Sequence, residues 1–251
     1  MHLLFDAGNT FLKCGVYDQR VCSFVSLSTH RLKEQLSDYL TAVTKDYALS
    51  PSKTLCFLVS VNPPVTETVK SLLTEKGFLV KQFSKELEIG FQTLYASPTL
   101  GDDRIVTDFG AFSLYGGSLI VVDLGTAATF DLLNQDGLHL GGAIMPGKEV
   151  YQTALQKSAK ALPRVDMKTL PPPLGDATVS NLEAGLYYGF VGSVLHMIEV
   201  YRSLPDFAHY KVVLTGGDTE LFAHCPAIDI LDRELTLKGL AQIFTKGNLF
   251  Q

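Results

Sequence analysis

This 251-residue sequence predicts an α/β fold made of two related domains, and three observations carry that prediction. Short apolar strands alternate with stretches of helical periodicity, the pattern of a sheet flanked by helices. A strand, an acidic glycine turn and a returning strand occur together twice, at Asp6 and again at Asp123. Between the two copies Gly116-Gly117 closes a helix, which sets the expected domains at 1–115 and 116–251.

The elements follow in order. Met1–Phe5 reads as a strand, broken at Asp6-Ala7-Gly8-Asn9-Thr10 and resumed by Phe11, Leu12, Cys14, Val16 and Tyr17 as a hairpin. His30–Lys45 carries Leu32, Leu36, Leu40 and Val43 at helical spacing. Leu55–Val61 is an apolar strand ended by Asn62-Pro63-Pro64, Val65–Lys76 a helix stopped by Gly77, and Phe78–Phe83 a strand. Glu88–Thr99 is irregular, and Ile105–Leu114 is helical. The second copy opens with strands at Ser118–Val122 and Ala128–Leu133, and a helix running to Leu155 follows Gly147. The Pro- and Lys-rich stretch 157–176 reads as a loop. Thr178–Leu204 is one long helix, with Ser180-x-x-Glu183 as a capping box and Gly185, Gly189 and Gly192 along one side for close packing. A buried strand at Lys211–Leu214 and a helix at Leu237–Phe244 close the chain.

Bulk composition narrows the function classes. A net charge of −5 disfavours a nucleic-acid partner, which calls for a basic surface. No apolar run reaches the length of a membrane span, and the amino terminus lacks the basic start of a secretory leader. Cys14, Cys22, Cys56 and Cys225 form no C-x-x-C pair, and Cys14 and Cys56 sit in apolar runs as core residues. No two of the six histidines share a metal-ligand spacing, so surface or packing roles are expected for most. A reducing cytoplasm fits these features.

Four clusters carry chemistry. In Asp6-Ala7-Gly8-Asn9-Thr10, followed by Lys13, backbone N–H groups and the Asn9 and Thr10 side chains are donors for phosphate oxygens. Lys13 adds positive charge, and Asp6 at a strand end is placed to hold a metal–phosphate complex through water. Asp123-Leu124-Gly125-Thr126-Ala127-Ala128-Thr129 repeats that chemistry. Two such hairpins facing across a cleft would grip a nucleoside triphosphate, and no Walker loop is present. Thr215-Gly216-Gly217-Asp218 would let backbone pass close to an adenosine. Gly101-Asp102-Asp103-Arg104, opening a helix, offers an acid beside a cation for an anionic alcohol substrate. Read alone, the first is equally an ordinary hairpin turn. The last two are more simply a glycine-rich turn and an N-cap pair.

Together the clusters resemble the type III pantothenate kinase family, within the superfamily of actin, hexokinase and acetate kinase. The resembling segments are Asp6–Lys13, Gly101–Arg104, Asp123–Thr129, Gly141–Gly147, Thr215–Gly217 and Leu235–Leu240, in the family's order. The resemblance implies two ribonuclease H-like (actin-like ATPase) domains with mixed sheets flanked by helices and the active site in the interdomain cleft. It implies ATP-dependent phosphorylation of pantothenate to 4′-phosphopantothenate, the first step of coenzyme A biosynthesis. ATP would be bound by Asp6, Ala7, Gly8, Asn9, Thr10, Phe11, Leu12, Lys13 and Thr126. Asp103 would be the proton acceptor, and pantothenate would contact Tyr95, Gly101, Asp102, Asp103, Arg104 and Thr178, with Arg104 nearest its carboxylate. Asp123 would bind a monovalent cation, K+ or NH4+, with Mg2+ accompanying ATP, and the enzyme would be a cytoplasmic homodimer with Thr178 near its interface.

Two positions depart from the family pattern. Ser97 stands where Tyr-x-Asn-Pro has asparagine, and Asp102 stands where a small residue is usual. Two ionised neighbours, Asp102 and Asp103, would raise one pKa. A kinase of another small alcohol on the same fold and a non-catalytic nucleotide-binding regulator are the competing readings.

Overall fold

The computed structural model describes residues 1–167 and 170–246. It divides into two compact units, Met1–Tyr115 with the chain from Glu234 onward, and Gly116–Arg233.

The first unit runs β1 (His2–Ala7), β2 (Phe11–Asp18), β3 (Arg20–Ser28), α1 (Leu32–Asp46), β4 (Leu55–Ser60), α2 (Pro63–Glu75), β5 (Leu79–Gln82) and α3 (Asp102–Tyr115). Its sheet has the order β3-β2-β1-β4-β5, with the first three strands antiparallel and β1, β4 and β5 parallel. Strand β1 is central, which is why it reads as a continuous apolar run. Leu3 and Phe5 enter one core with Leu36, Leu40, Val69 and Leu73 of α1 and α2. Leu4 points to the other, with Phe57, Val59 and Val106. Each such fully buried Leu or Phe contributes about 1.5–3 kcal/mol.

The second unit runs β6 (Leu119–Leu124), β7 (Ala127–Leu133), β8 (His139–Pro146), α4 (Lys148–Ser158), α5 (Thr178–Ser203), β9 (Lys211–Gly216) and β10 (Ile230–Leu231). Its sheet order is β10-β9-β6-β7-β8, again with an antiparallel meander and parallel pairings of β6, β9 and β10. The same ribonuclease H-like sheet is therefore built twice, each time around the strand that ends in the motif aspartate. Ile120, Val122 and Leu124 pack with Phe190, Val194 and Ile198 of α5.

The chain then returns to the first unit as α6 (Leu235–Lys246), whereas the sequence reading placed residues 234–251 with the second domain. The reason is a glycine crossing. A Cβ on Gly239 would lie 2.2 Å from Val106 O, and one on Gly110 would lie 2.6 Å from Gly239 Cα, so α6 and α3 touch backbone to backbone. Leu237 and Leu240 are then fully buried against Leu4 and Phe57.

Other expectations shift in detail. Strand β3 was not anticipated: it is a sheet edge whose only buried residue is Leu27, so its apolar pattern is weak. Ser180 is at the third position of α5, where its Oγ accepts from the Asp176 and Ala177 N–H groups, rather than at the N-cap. Of the three glycines along α5, only Gly189 has a close neighbour, the Tyr151 hydroxyl; added Cβ atoms at Gly185 and Gly192 would meet nothing within 4 Å. Cys14 and Cys56 are core residues as read. Among the described residues no helix is long and apolar enough to cross a membrane.

Candidate active site

In the first unit, Asp6 and Lys13 are direct partners across the β1–β2 register, and Lys13 Nζ lies 3.1 Å from Asp6 Oδ2. Both side chains are mostly buried, at 8 % and 17 % exposure, so the pair is screened little by solvent. The turn between them is closed by Gly8 N–H donating to Phe11 O at 3.0 Å, and a Cβ at Gly8 would come within 3.2 Å of that oxygen. Of the expected nucleotide ligands, Ala7 and Leu12 are fully buried core residues, which leaves only their backbone for a ligand. Asn9 and half-exposed Phe11 are at the surface of the turn.

The turn is pinned from two sides. Thr29 Oγ1 donates to the carbonyls of Asn9 and Thr10, both at 3.0 Å. Asn62 Nδ2 donates to Asn9 Oδ1 at 3.1 Å, while Asn62 Oδ1 caps α2 by accepting from Val65 N–H. Ser60 Oγ donates to Ala7 O and accepts from Thr66 Oγ1. Sequence reasoning treated Asn62 only as a strand end. Its signal was present, since an asparagine followed by proline at the first helical position marks an N-cap.

The Gly101–Arg104 cluster is at the same edge of this unit. Val61, directly after β4, donates its N–H to Ala7 O, and its Cγ1 lies 3.6 Å from where a Gly101 Cβ would stand. The start of α3 thus sits at the carboxyl ends of β1 and β4, where open α/β sheets bind ligands. Asp103 Oδ1 accepts from Arg104 N–H at 2.8 Å, and a Cβ on Gly101 would be 2.5 Å from that same oxygen. Glycine at 101 is what leaves room for the carboxylate. The Arg104 guanidinium lies over the Tyr95 ring, 5.6 Å from its centroid, which joins two residues far apart in the motif list. Burial raises the Asp102 carboxyl above its usual range, with the charge and N–H of Lys85 opposing the shift. The cause is desolvation rather than the neighbouring Asp103 that the sequence suggested.

In the second unit Asp123 ends β6 and faces Thr129 on β7 and Thr215 on β9. Gly125 N–H donates to Ala127 O at 3.1 Å. This hairpin is one residue shorter than the first: Leu124 pairs with Ala128, where Ala7 pairs with Leu12. A threonine consequently stands opposite Asp123 where a lysine stands opposite Asp6. Gly216, at φ +101°, would place a Cβ 2.5 Å from Asp123 Oδ1, so the T-G-G turn lies directly on this carboxylate. Thr215 Oγ1 is buried and makes no hydrogen bond among the described residues. Gly147 abuts the turn, its N–H on Thr126 O at 3.1 Å, and a Cβ there would meet Gly125 O at 2.1 Å. Lys148 pairs with Asp218 at 2.5 Å, tying the start of α4 to the glycine loop. Thr126 is exposed, and Thr178 is the exposed first residue of α5. Among the histidines, His139 is fully buried and 2.9 Å from Asp131.

A family profile described as type III pantothenate kinase matches residues 2–200 of this chain. A type III pantothenate kinase from Agathobacter rectalis is 30% identical, the alignment covering 99% of this chain and 98% of that protein. One from Listeria monocytogenes is 34% identical, with 98% of each covered. Among solved structures, one described as a Baf family transcriptional activator from Campylobacter jejuni superposes with a TM-score of 0.59 at 23% identity, over 97% of this chain and 98% of that one. That last likeness is one of fold.

Proposed function

Because the chain belongs to the type III pantothenate kinase family, we propose that it transfers the γ-phosphoryl group of ATP to the terminal hydroxyl of pantothenate, giving 4′-phosphopantothenate and ADP at the start of coenzyme A biosynthesis. The observation that supports this most is local to the first unit. The buried Asp6–Lys13 pair and the Asp103–Arg104 helix start share the carboxyl ends of β1 and β4.

Lys13 and the turn's N–H groups neutralise and orient the phosphates of ATP. Thr126 on the shorter hairpin adds a hydroxyl contact. Arg104 pairs with the pantothenate carboxylate, and Tyr95 braces that guanidinium from beneath. Asp103 accepts the hydroxyl proton as the oxygen bonds to the γ-phosphorus, and the bond to the β-phosphate oxygen breaks with ADP as leaving group. Thr178 is a further substrate contact in this reading.

The donor sets suit two cations. Asp6 offers one carboxylate, which fits Mg2+ that keeps its waters and phosphate ligands. Asp123 lies beside the buried Thr215 hydroxyl with no lysine across the hairpin, which fits a monovalent cation, K+ or NH4+. Bound there, such a cation would offset the negative charge of Asp123 and of a nearby phosphate. The working protein in this reading is a cytoplasmic homodimer.

A coupled ADP-release assay with pantothenate, run with and without K+, tests the proposal. ADP formation that requires pantothenate and rises with K+ is the expected result. ADP formation with other alcohols but not pantothenate would assign a different acceptor. Calorimetric ATP binding with no turnover of any alcohol would make the chain a nucleotide-binding regulator.

A further inference from the structure

Between β5 and α3 the chain runs from residue 83 to 101 without a helix or strand of its own. Uninterrupted connections of that length are uncommon in compact domains and are usually functional. Its ends are anchored, since Phe83 and Leu100 are buried, but Leu87, Ile89, Phe91 and Tyr95 along it are only partly buried against the core.

One residue joins its entry to its exit. The Lys85 ammonium donates to the carbonyl oxygen of Pro98, and its positive charge acts on the Asp102 carboxylate. The side chain thus spans the loop from residue 85 to residue 98. We propose that Lys85 is a positioning residue for the acceptor substrate: it staples the 83–101 loop shut and so sets Tyr95 against the Asp103–Arg104 helix start. The inference rests on the kinase reading above, and it concerns residues that the family resemblance did not name.

The physical reasoning is one of preorganisation. A loop held closed before binding spares the substrate the cost of ordering it. Here a charge-assisted hydrogen bond to Pro98 O does the closing. Asp102, the charged replacement for a usually small residue, feels the charge of the same lysine. Next to it Ser97 Oγ bonds Thr99 Oγ1 at 2.7 Å and accepts from Thr99 N–H, a contact confined to the loop itself. The nucleotide turn is independent of this device, being pinned by Thr29 and Asn62.

The test compares wild type, Lys85→Met and Lys85→Arg by steady-state kinetics and by hydrogen exchange without substrate. Lys85→Met should raise KM for pantothenate about tenfold while KM for ATP stays as in wild type and kcat changes by less than about twofold. Lys85→Arg, which keeps the cation, should recover most of the loss. Amides between 86 and 101 should exchange faster in Lys85→Met while those of β1 and β4 do not. An unchanged pantothenate KM, or a parallel rise in both KM values, would overturn the positioning role. If the wild type turns over no pantothenate, it is the kinase reading that fails and the substrate role falls with it. Loop exchange then decides the staple alone, and unchanged rates in Lys85→Met would reject it.

Discussion

Lys13 faces Asp6 at 3.1 Å across the first hairpin, whereas Thr129 occupies the corresponding place opposite Asp123. The single-residue difference in hairpin length gives the two acids opposite electrostatic settings. One carboxylate has a lysine ammonium across the hairpin, and the other has a threonine.

The first setting makes Lys13→Met costly. It removes the charge proposed to meet the phosphates and strands a mostly buried carboxylate. We expect kcat/KM for ATP to fall by about 10² and urea unfolding to show a loss of about 1–3 kcal/mol.

The second setting predicts that Asp123→Ala abolishes stimulation by K+. The measurement is ADP release in potassium chloride against choline chloride at constant ionic strength. Equal K+ stimulation in the variant and the wild type would place the cation elsewhere.

Asp103→Asn keeps the size of the side chain and its bond from Arg104 N–H but removes the carboxylate proposed to accept the proton. kcat should drop by about 10²–10⁴ with ATP affinity by calorimetry unchanged. Near-normal turnover would transfer the role of base to another group.

The α3–α6 contact depends on having no side chain at 239. Gly239→Ala would push a methyl group to 2.2 Å from Val106 O and force the helices apart. The expected cost of about 1–3 kcal/mol should appear as a fall in Tm of roughly 3–10 °C.

Burial raises the thiol pKa of both Cys14 and Cys56 above the ordinary value of 9.0. Their folded forms keep the proton while the unfolded chain loses it. This contribution to stability is therefore complete below the unfolded thiol pKa and is lost as pH rises from there toward the folded values. The slope is at most about 1.4 kcal/mol per pH unit for each thiol. Urea titrations under reductant between pH 8 and 10 should show the decline, and a Cys14→Ala/Cys56→Ala variant should show a shallower one.

Much of this protein is legible along the chain because its signals are local. A strand buried on both faces must be apolar throughout, and a turn that brings backbone close to phosphate must contain glycine. So β1, β6 and their acidic turns were readable, as were the residue types at Asp6, Lys13, Asp103 and Arg104. What the tertiary structure alone decided depends on residues distant in sequence meeting in space. The return of α6 to the first unit follows from Gly110 meeting Gly239. The pairing of Arg104 with Tyr95, the bracing of the first turn by Asn62 and Thr29, and the Lys85–Pro98 hydrogen bond are likewise contacts between segments. Edge strand β3 escaped for a local reason, since Leu27 is its one buried residue. Hydrophobic periodicity records which way a side chain faces, but not which partner is waiting there.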